Sequence, residues 1–360
     1  MKLSALTQKK IRAVGWVSLL SGAATFIWGL SAGWGILVAL KFHISIGFLG
    51  SLIIGSAEMF VLNPVGYRLP FMLLLLVRAL LYVSVTFVLI AILAPLTGMA
   101  DFATLLSGLQ DHKSIYWKGF AFGTIASFVF SLIYSLQRVL GKGTLAKLLV
   151  GSYYRPSEQQ RIFMFLDVKS STSIAEKIGH QRFMLLLNDF YYHISSAILI
   201  THGEIYKYVG DEIIVTWTMK EGILNANCIQ CYFEALAVID RNKNFYLAKY
   251  GLVPEFRAGI HGGKVVAGML GADKVEIAYL GDVLNTTSRI EAVCRELDQD
   301  ILISAEILDR IALPTHFRPR KFEKVRLRGK EQEVDLYSVD IESVRVQSPP
   351  HPVPHRAGVM

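Results

Sequence analysis

Two aspartates in this sequence occupy positions where the chain can bring carboxylates together. Asp167 lies at the end of the apolar run RIFMFLDV, which is typical of a buried strand. Asp211 lies within GEIYKYVGDEIIVTW, where two strand-like runs surround a Gly-Asp turn and indicate a hairpin. We expect the first strand to lie beside both hairpin strands, so that the two carboxylates meet at one edge. Two hard carboxylates placed this way suit Mg²⁺ bound to phosphate groups.

Turn chemistry alone also explains Asp211, because Gly-Asp pairs are common in turns. A run of small hydroxyl side chains follows the first strand: Ser170, Ser171, Thr172 and Ser173. The backbone N–H groups of such a loop can bind phosphate, and the same side chains can cap a helix. Because this run comes directly after an acid at a strand end, the pattern favours a metal and phosphate site over a turn alone.

Three segments resemble the signature segments of class III nucleotidyl cyclases, the adenylate and guanylate cyclases: FLDVKSST, KYVGDE and GDVLNTTSR. They have the order and spacing of that family, and the resemblance covers about residues 160–340. It implies an enzyme that cyclises a nucleoside triphosphate with two Mg²⁺ or Mn²⁺ ions per site. The expected substrate is ATP, which gives 3′,5′-cyclic AMP and pyrophosphate for intracellular signalling; GTP is the alternative.

The resemblance also implies roles for single residues. Asp167, Asp211 and the backbone carbonyl of Val168 match metal ligands, Lys207 matches the residue that reads adenine, Asn285 matches the one that orients the ribose, and Arg289 matches the one that stabilises the transition state. Residues four apart share one face of a helix, so Asn285 and Arg289 can point into one cleft. Further substrate-binding candidates are Ser171 and Thr172 and, in LRGK, either Arg328 or Lys330.

One position departs from the family's pattern. The second base-reading residue, often Asp or Thr, falls seven positions before Asn285, where this chain has Ala278. A methyl group accepts no hydrogen bond from an adenine amino group. Glu276 or neighbouring backbone groups are the candidates to replace that contact. Lys207 favours ATP, while Ala278 leaves the choice of base open.

The elements around these residues follow the order β-α-β-β-α-β. This order predicts an α+β, ferredoxin-like catalytic domain over residues 161–342. In the family, one catalytic domain supplies the metal ligands and a second supplies the Asn and Arg. Since this chain carries both sets, the resemblance implies a homodimer with two equivalent shared sites.

The N-terminal part, residues 1–137, has a different composition. Residues 13–40 contain no Asp, Glu, Lys or Arg. Crossing a bilayer takes about 20 apolar residues in a helix. Four stretches reach that length: 13–35, 43–63, 70–94 and 119–137. We predict an all-α transmembrane domain of four helices in the lipid bilayer, a linker over 138–160 and a disordered tail over 343–360.

Charges set the predicted orientation of these spans. The side that holds the N-terminus carries eight Lys and Arg residues, and the other side carries three. This asymmetry predicts a multi-pass protein of the cell (inner) membrane with both termini and the catalytic domain in the cytoplasm. Glu58 and Arg78 lie inside consecutive spans. Because an isolated charge in lipid is costly, we predict that they pair.

Composition and motifs argue against other classes of function. The net charge is +8, but the chain has no Lys/Arg-rich run with interleaved aromatics, so no nucleic-acid partner is expected. Three cysteines are too few for a disulfide framework. The C-x-x-C of Cys228 and Cys231 lacks the second pair that zinc requires, and we interpret it as helical spacing.

Two rival interpretations concern the catalytic half. A diguanylate cyclase needs Gly-Gly-Asp/Glu-Glu-Phe at the hairpin, whereas residues 209–213 read VGDEI. A membrane receptor with an inactive cyclase-like domain is the second rival. Ala278 supports it, and the presence of Asp167, Asp211, Asn285 and Arg289 argues against it.

Overall fold

The chain is described here by a computed structural model. It covers residues 5–31, 33–62, 69–98, 151, 153–273, 275–328 and 333–341, with isolated positions between 103 and 136. The chain divides into two compact units, Met1–Val150 and Gly151–Met360. Several predictions fall outside the described residues: most of the span 119–137, residues 138–150 of the linker, Lys330 and the tail 343–360.

Three long helices lie in the continuously described ranges of the first unit. They are α1 (Ala5–Ser31), α2 (Ile36–Leu62) and α3 (Phe71–Leu96). They cover the first three predicted spans. Helix α2 contains two π-helical turns, Ala39–His43 and Glu58–Leu62. Such turns are rare and often occur at functional sites.

Small residues let α1 and α2 pack closely. A Cβ added at Gly47 would overlap the side chain of Thr25 and the backbone of Ser21. The hydroxyl of Thr25 donates a hydrogen bond of 2.5 Å to the carbonyl of His43. Contacts of this kind hold helices together where lipid removes the usual hydrophobic driving force.

The predicted pair between Glu58 and Arg78 is present in the structure. Arg78 Nε lies 2.8 Å from Glu58 Oε1, and a second guanidinium nitrogen donates to Oε2 at 3.2 Å. The hydroxyl of Tyr82, one turn further along α3, donates to Glu58 as well. All three side chains are buried. The carboxylate therefore has its charge balanced and both of its oxygens hydrogen-bonded inside the helical unit.

Five described helical segments have the length and composition of a membrane span. Three belong to the first unit: Val14–Ser31, Ile36–Leu62 and Phe71–Leu96. The other two, His180–Ile200 and Met219–Arg241, pack their apolar residues against the sheet of the second unit. Apolar helices compatible with membrane spans are thus concentrated before residue 100.

A mixed sheet dominates the second unit. Its strands are β1 (Ser157–Val168), β2 (Glu204–Val209), β3 (Glu212–Thr218), β4 (Phe256–Leu270), β5 (Glu276–Leu280), β6 (Ile301–Ser304), β7 (Phe317–Arg326) and β8 (Glu333–Ile341). Strand β1 begins at Ser157, so residues 157–160, predicted as linker, form the start of the sheet.

The helices between these strands complete the unit. They are α4 (Ser171–Ile178), α5 (His180–Ile200), α6 (Met219–Ile223), α7 (Asn227–Arg241), α8 (Lys243–Tyr250), α9 (Asp282–Glu296) and α10 (Ala305–Leu308).

The strand order is β2-β3-β1-β4-β6-β8-β7, and β5 pairs with β4 outside this path. Strand β1 therefore lies between β3 and β4, antiparallel to both. The expectation that β1 lies beside both hairpin strands was wrong for β2, which pairs only with the far side of β3. A split β-α-β connection inserts one strand between the two that it joins, and that insertion separates β1 from β2.

Strand β1 is buried on both faces, which explains its continuous apolar sequence. Ile162, Met164 and Leu166 pack in the core with α5 and α7. Phe163 and Phe165 point to the other face, into a smaller core with residues of β4, β5 and α9. Asp167 thus emerges from a fixed strand at the end of the sheet.

Candidate active site

Strand register brings the two predicted metal-binding aspartates together. Asp167 lies opposite Glu212 in the β1–β3 ladder. Asp211 precedes Glu212 in the turn between β2 and β3, where Gly210 has a φ of 63° that favours glycine. Asp211 raises the pKa of Asp167 through a hydrogen bond and through its like charge, so the two carboxyl groups interact. The two acids therefore meet at one edge of the sheet, as expected from the sequence.

This edge concentrates partly buried acidic side chains. Burial is the main cause that raises the pKa of Asp167 to about 7; the hydrogen bond with Asp211 and the charges of Asp211 and Glu291 raise it further, and Arg257 opposes them. Burial and the charges of Glu291 and Asp211 also raise the pKa of Glu212 to about 7. Carboxylates with these shifts lack sufficient positive charge around them, so the edge favours a bound cation.

Arg257 is the buried cation of the cluster. It lies opposite Asp167 in the β1–β4 ladder. Its Nε is 3.8 Å from Asp167 Oδ2 and 3.5 Å from Glu291 Oε1. That Nε is buried and has no hydrogen-bond partner in the described part of the chain. Charge rather than hydrogen bonding therefore holds the Nε edge of the guanidinium between the two acids.

A pocket of about 290 Å³ opens beside these residues. Its lining consists of Ser170, Ser171, Thr172, Ser173, Arg257 and Arg295. Helix α4 begins at Ser171, so the first backbone N–H groups of that helix have no partner within it. Helix N-termini and arginines both attract phosphate groups. The predicted hydroxyl run is thus part of a pocket suited to an anion.

The donors at the sheet edge fit a hard divalent ion. Within the described ranges, no three His, Cys, Asp or Glu side chains form a group that could hold a metal. The protein offers the carboxylates of Asp167 and Asp211, and Val168 follows as the last residue of β1. Phosphate oxygens and water would complete the coordination. This set suits Mg²⁺ or Mn²⁺ with a phosphorylated ligand better than a structural zinc ion.

Lys207 lies on β2 and is paired with Glu276 at the start of β5. Its Nζ donates a hydrogen bond of 2.8 Å to Glu276 Oε1. That hydrogen bond is the main cause that raises the pKa of Lys207. Ala278 lies two residues further along β5 and is buried. The carboxylate beside Lys207 therefore comes from Glu276, one of the candidates left open by the sequence.

Asn285 and Arg289 lie on α9, four residues apart on one face. Glu291 of the same helix points toward Arg257 and Asp167. Helical residues are separated by about 100°, so Arg289 is about 200° from Glu291 around the axis. Arg289 and Asn285 thus point away from the carboxylates of their own chain.

Sequence reasoning missed Arg257, Glu212 and Glu291. Arg257 had one visible signal, a cation in the otherwise apolar strand FRAGIHGG. Glu291 had none, because its position depends on the close packing of α9 on β4. A Cβ at Gly259 would overlap the backbone of Glu291, so glycine there allows the helix to approach.

The three cysteines take no part in the site. All are free and buried. Burial raises the pKa of each thiol, Cys228, Cys231 and Cys294, to about 12. Cys228 and Cys231 lie on α7, so their spacing is helical, as predicted.

Comparison with known proteins gives one family. Residues 153–340 match the adenylate and guanylate cyclase catalytic domain. Adenylate cyclase 2 of Rhizobium meliloti (strain 1021) is 34% identical over 225 residues, which are 62% of this chain and 61% of the relative. The adenylate cyclase of Anabaena cylindrica is 27% identical over 187 residues, which are 51% of this chain and 37% of the relative. The chain thus spans less than two thirds of the length of either.

Guanylate cyclases are also among the relatives. A receptor-type guanylate cyclase of Caenorhabditis elegans is 24% identical over 185 residues, 51% of this chain and 14% of the relative. Among solved structures, a bacterial light-regulated adenylyl cyclase superimposes with a TM-score of 0.53 at 17% identity, covering 64% of this chain and 67% of the other. That likeness concerns the fold alone. The sequence match covers more than half of the chain, so the chain belongs to the family of adenylate and guanylate cyclase catalytic domains.

Proposed function

We propose that this protein is a membrane-anchored adenylate cyclase that converts ATP to 3′,5′-cyclic AMP and pyrophosphate. The observation that carries the proposal is the meeting of Asp167 and Asp211 beside an anion pocket that contains Arg257 and Arg295. A cation site next to a phosphate site is what a metal–triphosphate complex needs. The family membership of residues 153–340 supports the same reaction.

The reaction joins two atoms of one substrate molecule. The ribose 3′-oxygen forms a bond to the α-phosphorus, the bond from that phosphorus to the bridging oxygen breaks so that pyrophosphate leaves, and the hydroxyl proton passes to water. Asp167, Asp211 and the carbonyl of Val168 would hold two Mg²⁺ or Mn²⁺ ions. These ions, when bound, lower the pKa of the attacking hydroxyl and neutralise the triphosphate.

The remaining side chains bind and orient the nucleotide. Ser171 and Thr172, at the start of α4, bind the phosphates together with Arg257. Asn285 orients the ribose, because an intramolecular attack depends on alignment. Arg289 donates hydrogen bonds to the phosphorus oxygens as they gain charge in the transition state. Lys330, outside the described residues, adds a phosphate contact.

The site is shared between two copies of the chain in a homodimer. The orientation of α9 supports this, because Arg289 points away from the carboxylates of its own chain. Exposed apolar residues on β2, β4 and β5 provide a surface for the second copy: Ile205, Tyr208, Val209, Val266, Leu270 and Leu280. Each site then takes its metal ligands from one chain and Asn285 with Arg289 from the other.

A mixing experiment tests the shared site. Neither D167A nor R289A alone should form product, but co-expressed chains should regain about a quarter of the wild-type activity, since half of the random dimers contain one intact site out of two. Mixtures that stay inactive, although gel filtration finds both variants dimeric, would contradict a shared site.

The first unit anchors the enzyme in the cell membrane. Its three long apolar helices, with the predicted fourth over 119–137, support a four-helix transmembrane domain. The catalytic domain, with a ferredoxin-like β-α-β-β-α-β core, and both termini lie in the cytoplasm, as the distribution of Lys and Arg favours. Protease accessibility in sealed inside-out vesicles tests this orientation.

The base is adenine in this proposal, and guanine is the second candidate. Relatives named adenylate cyclases and the ion pair of Lys207 with Glu276 support adenine. Ala278 and relatives named guanylate cyclases support guanine. Incubating the membrane-bound chain with Mg²⁺ or Mn²⁺ and either ATP or GTP, then identifying the product by mass spectrometry, decides between them. Formation of neither cyclic nucleotide would favour a receptor with an inactive domain.

A further inference from the structure

The contact between β2 and β5 is unusual for this sheet. Strand β5 pairs only with the end of β4, at residues 266–270, while β2 lies beyond β3 and β1. Even so, the side chain of Glu276 on β5 reaches Lys207 on β2. The two strands therefore meet across one face of the sheet rather than within a ladder.

A β-bulge turns Lys207 toward that face. The β2–β3 register shifts between Ile205 and Lys207, which leaves Tyr206 as the extra residue and Lys207 opposite Ile214. Ile214 belongs to the smaller core, on the same face as Tyr279 of β5. Bulges commonly re-aim a side chain near an active site. Here the bulge brings the ammonium group of Lys207 to the side on which β5 lies.

Aromatic contacts, and not the ion pair, hold the two strands together. The rings of Tyr206 and Tyr279 are 5.0 Å apart, and Phe163 packs 5.6 Å from Tyr279. The backbone N–H of Tyr279 donates to the hydroxyl of Tyr206 at 3.3 Å. The side chains of Lys207 and Glu276 are 36% and 43% exposed, and exposed ion pairs contribute little to stability. Stability therefore gives little reason for a carboxylate at this position.

Recognition of a purine gives a better reason. A lysine only donates hydrogen bonds, and an ionised carboxylate only accepts them. The edge of adenine presents the acceptor N1 next to the 6-amino donor, and guanine presents the donor N1–H next to the acceptor O6. A donor and an acceptor 2.8 Å apart can bind either edge, but the two bases need them in opposite order.

We propose that Glu276 is the specificity-determining residue of the base site, where its carboxylate accepts a hydrogen bond from the 6-amino group of adenine while Lys207 donates to N1. The inference rests on the proposed function and concerns the base subsite of the same enzyme. Glu276 and Ala278 are two apart on β5, so their side chains leave the same face of the strand. The longer side chain of Glu276 thus supplies the acceptor that Ala278 cannot.

The decisive experiment compares ATP with purine riboside triphosphate, which differs only in lacking the 6-amino group. The wild-type full-length chain should prefer ATP by roughly 10–100-fold in kcat/KM, as expected for one buried hydrogen bond to substrate. E276A should lose that preference by turning ATP over more slowly, with little change for the analogue. E306A, which removes the carboxylate from another exposed ion pair, with Arg310, should behave as wild type.

A merely structural role for Glu276 would slow both nucleotides equally and would overturn the inference, as would an unchanged preference in E276A. Equilibrium binding of ATP and the analogue can also be compared between wild type and E276A. This measurement gives the same comparison even if the protein forms no cyclic product. Loss of all cyclisation with the binding preference intact would therefore contradict the proposed function alone.

A charge exchange provides a second variant that keeps the ion pair. K207E/E276K reverses the order of donor and acceptor, so it should favour GTP over ATP by about tenfold relative to wild type. An unfolded E276A would not affect this measurement. A doubly exchanged variant that folds, binds nucleotide and still prefers ATP would overturn the assignment.

Discussion

Glu58 in the first unit is buried and Asp167 in the second is partly buried, and the surroundings of the two carboxylates differ. Glu58 has a buried arginine at 2.8 Å and the hydroxyl of Tyr82 as a further donor. Asp167 has other acids beside it, and Arg257 Nε is 3.8 Å away without a hydrogen bond. The chain thus balances the charge of the first carboxylate internally and compensates the second less completely.

This difference supports a structural role for Glu58 and the proposed metal-binding role for Asp167. A buried charge with all its hydrogen bonds made has nothing left to offer a ligand, and its loss is felt as instability. Acids crowded together are unfavourable in the free protein, and that unfavourable energy is released when a cation arrives. Substitution of Glu58 should therefore lower stability. Substitution of Asp167 should lower activity and raise the stability of the metal-free protein.

The largest effect is expected at the sheet edge. D167N and D211N should each lower the rate of cyclic AMP formation by at least about a thousandfold, because each removes a metal ligand. Both should raise the melting temperature of the metal-free protein, since one like charge disappears from the cluster. Calorimetry in EDTA and a product assay measure the two quantities. D240N, on an exposed position of α7, serves as the control and should change neither.

A variant that loses activity and also melts earlier would break the comparison. It would mean that Asp167 or Asp211 stabilises the fold as Glu58 does.

The next effect is expected inside the first unit. E58Q or R78M alone should cost about 3–5 kcal/mol of stability, because each leaves a buried charge without its partner. The double variant E58Q/R78M should lose less stability than the sum of the two single losses. It should also lose less than the more destabilised of the two single variants. Y82F removes one hydrogen bond and should cost about 1–2 kcal/mol. Unfolding of the detergent-solubilised chain measures all four. A double-variant loss equal to the sum of the two single losses would show that the pair is not coupled.

The sequence was sufficient for features set by local signals. Asp167 and Asp211 were located because a strand end and a Gly-Asp turn each fix a residue within a few positions. The pairing of Glu58 with Arg78 followed from the cost of lone charges in lipid. In each case the signal for a residue's position lies in the short segment around it.

Features set by distant packing were not accessible in this way. Strand β2 was wrongly expected to lie beside β1. Which strands are adjacent depends on how two β-α-β units interleave, and no short segment encodes that. Arg257 and Glu291 join the site only through the β1–β4 register and the approach of α9 to Gly259. The contact of Lys207 with Glu276 needs a bulge in β2 and a strand that folds across the sheet, which no periodicity reveals.

A smaller effect should appear as pH dependence of metal binding. The pKa of Asp167 is raised to about 7, so the folded, metal-free protein holds a proton that the unfolded chain releases. The contribution of that proton to the free energy of unfolding is fully present below the pKa of Asp167 in the unfolded chain, about 4. It is lost as pH rises through the folded-state pKa of about 7. Because metal needs the ionised form, apparent Mn²⁺ affinity should rise about tenfold per pH unit below 7 and level off above it.

Thermal stabilisation by Mn²⁺ at several pH values between about 6 and 8 measures this dependence, and D167N should flatten it. Affinity that is constant over this range in the wild type would contradict the raised pKa of Asp167 and weaken the contrast with Glu58.

The smallest effect is expected for the three cysteines, which belong neither to the Glu58–Arg78 pair nor to the cluster around Asp167. Burial raises the pKa of Cys228, Cys231 and Cys294 to about 12, so almost no thiolate exists near neutral pH. Iodoacetamide at neutral pH should leave the folded chain unlabelled and its activity unchanged, whereas the urea-unfolded chain should gain a label at each cysteine. Mass spectrometry counts the labels. Rapid labelling of Cys228 or Cys231 in the folded chain would indicate that α7 opens from the sheet, since their thiols are otherwise sealed beneath it.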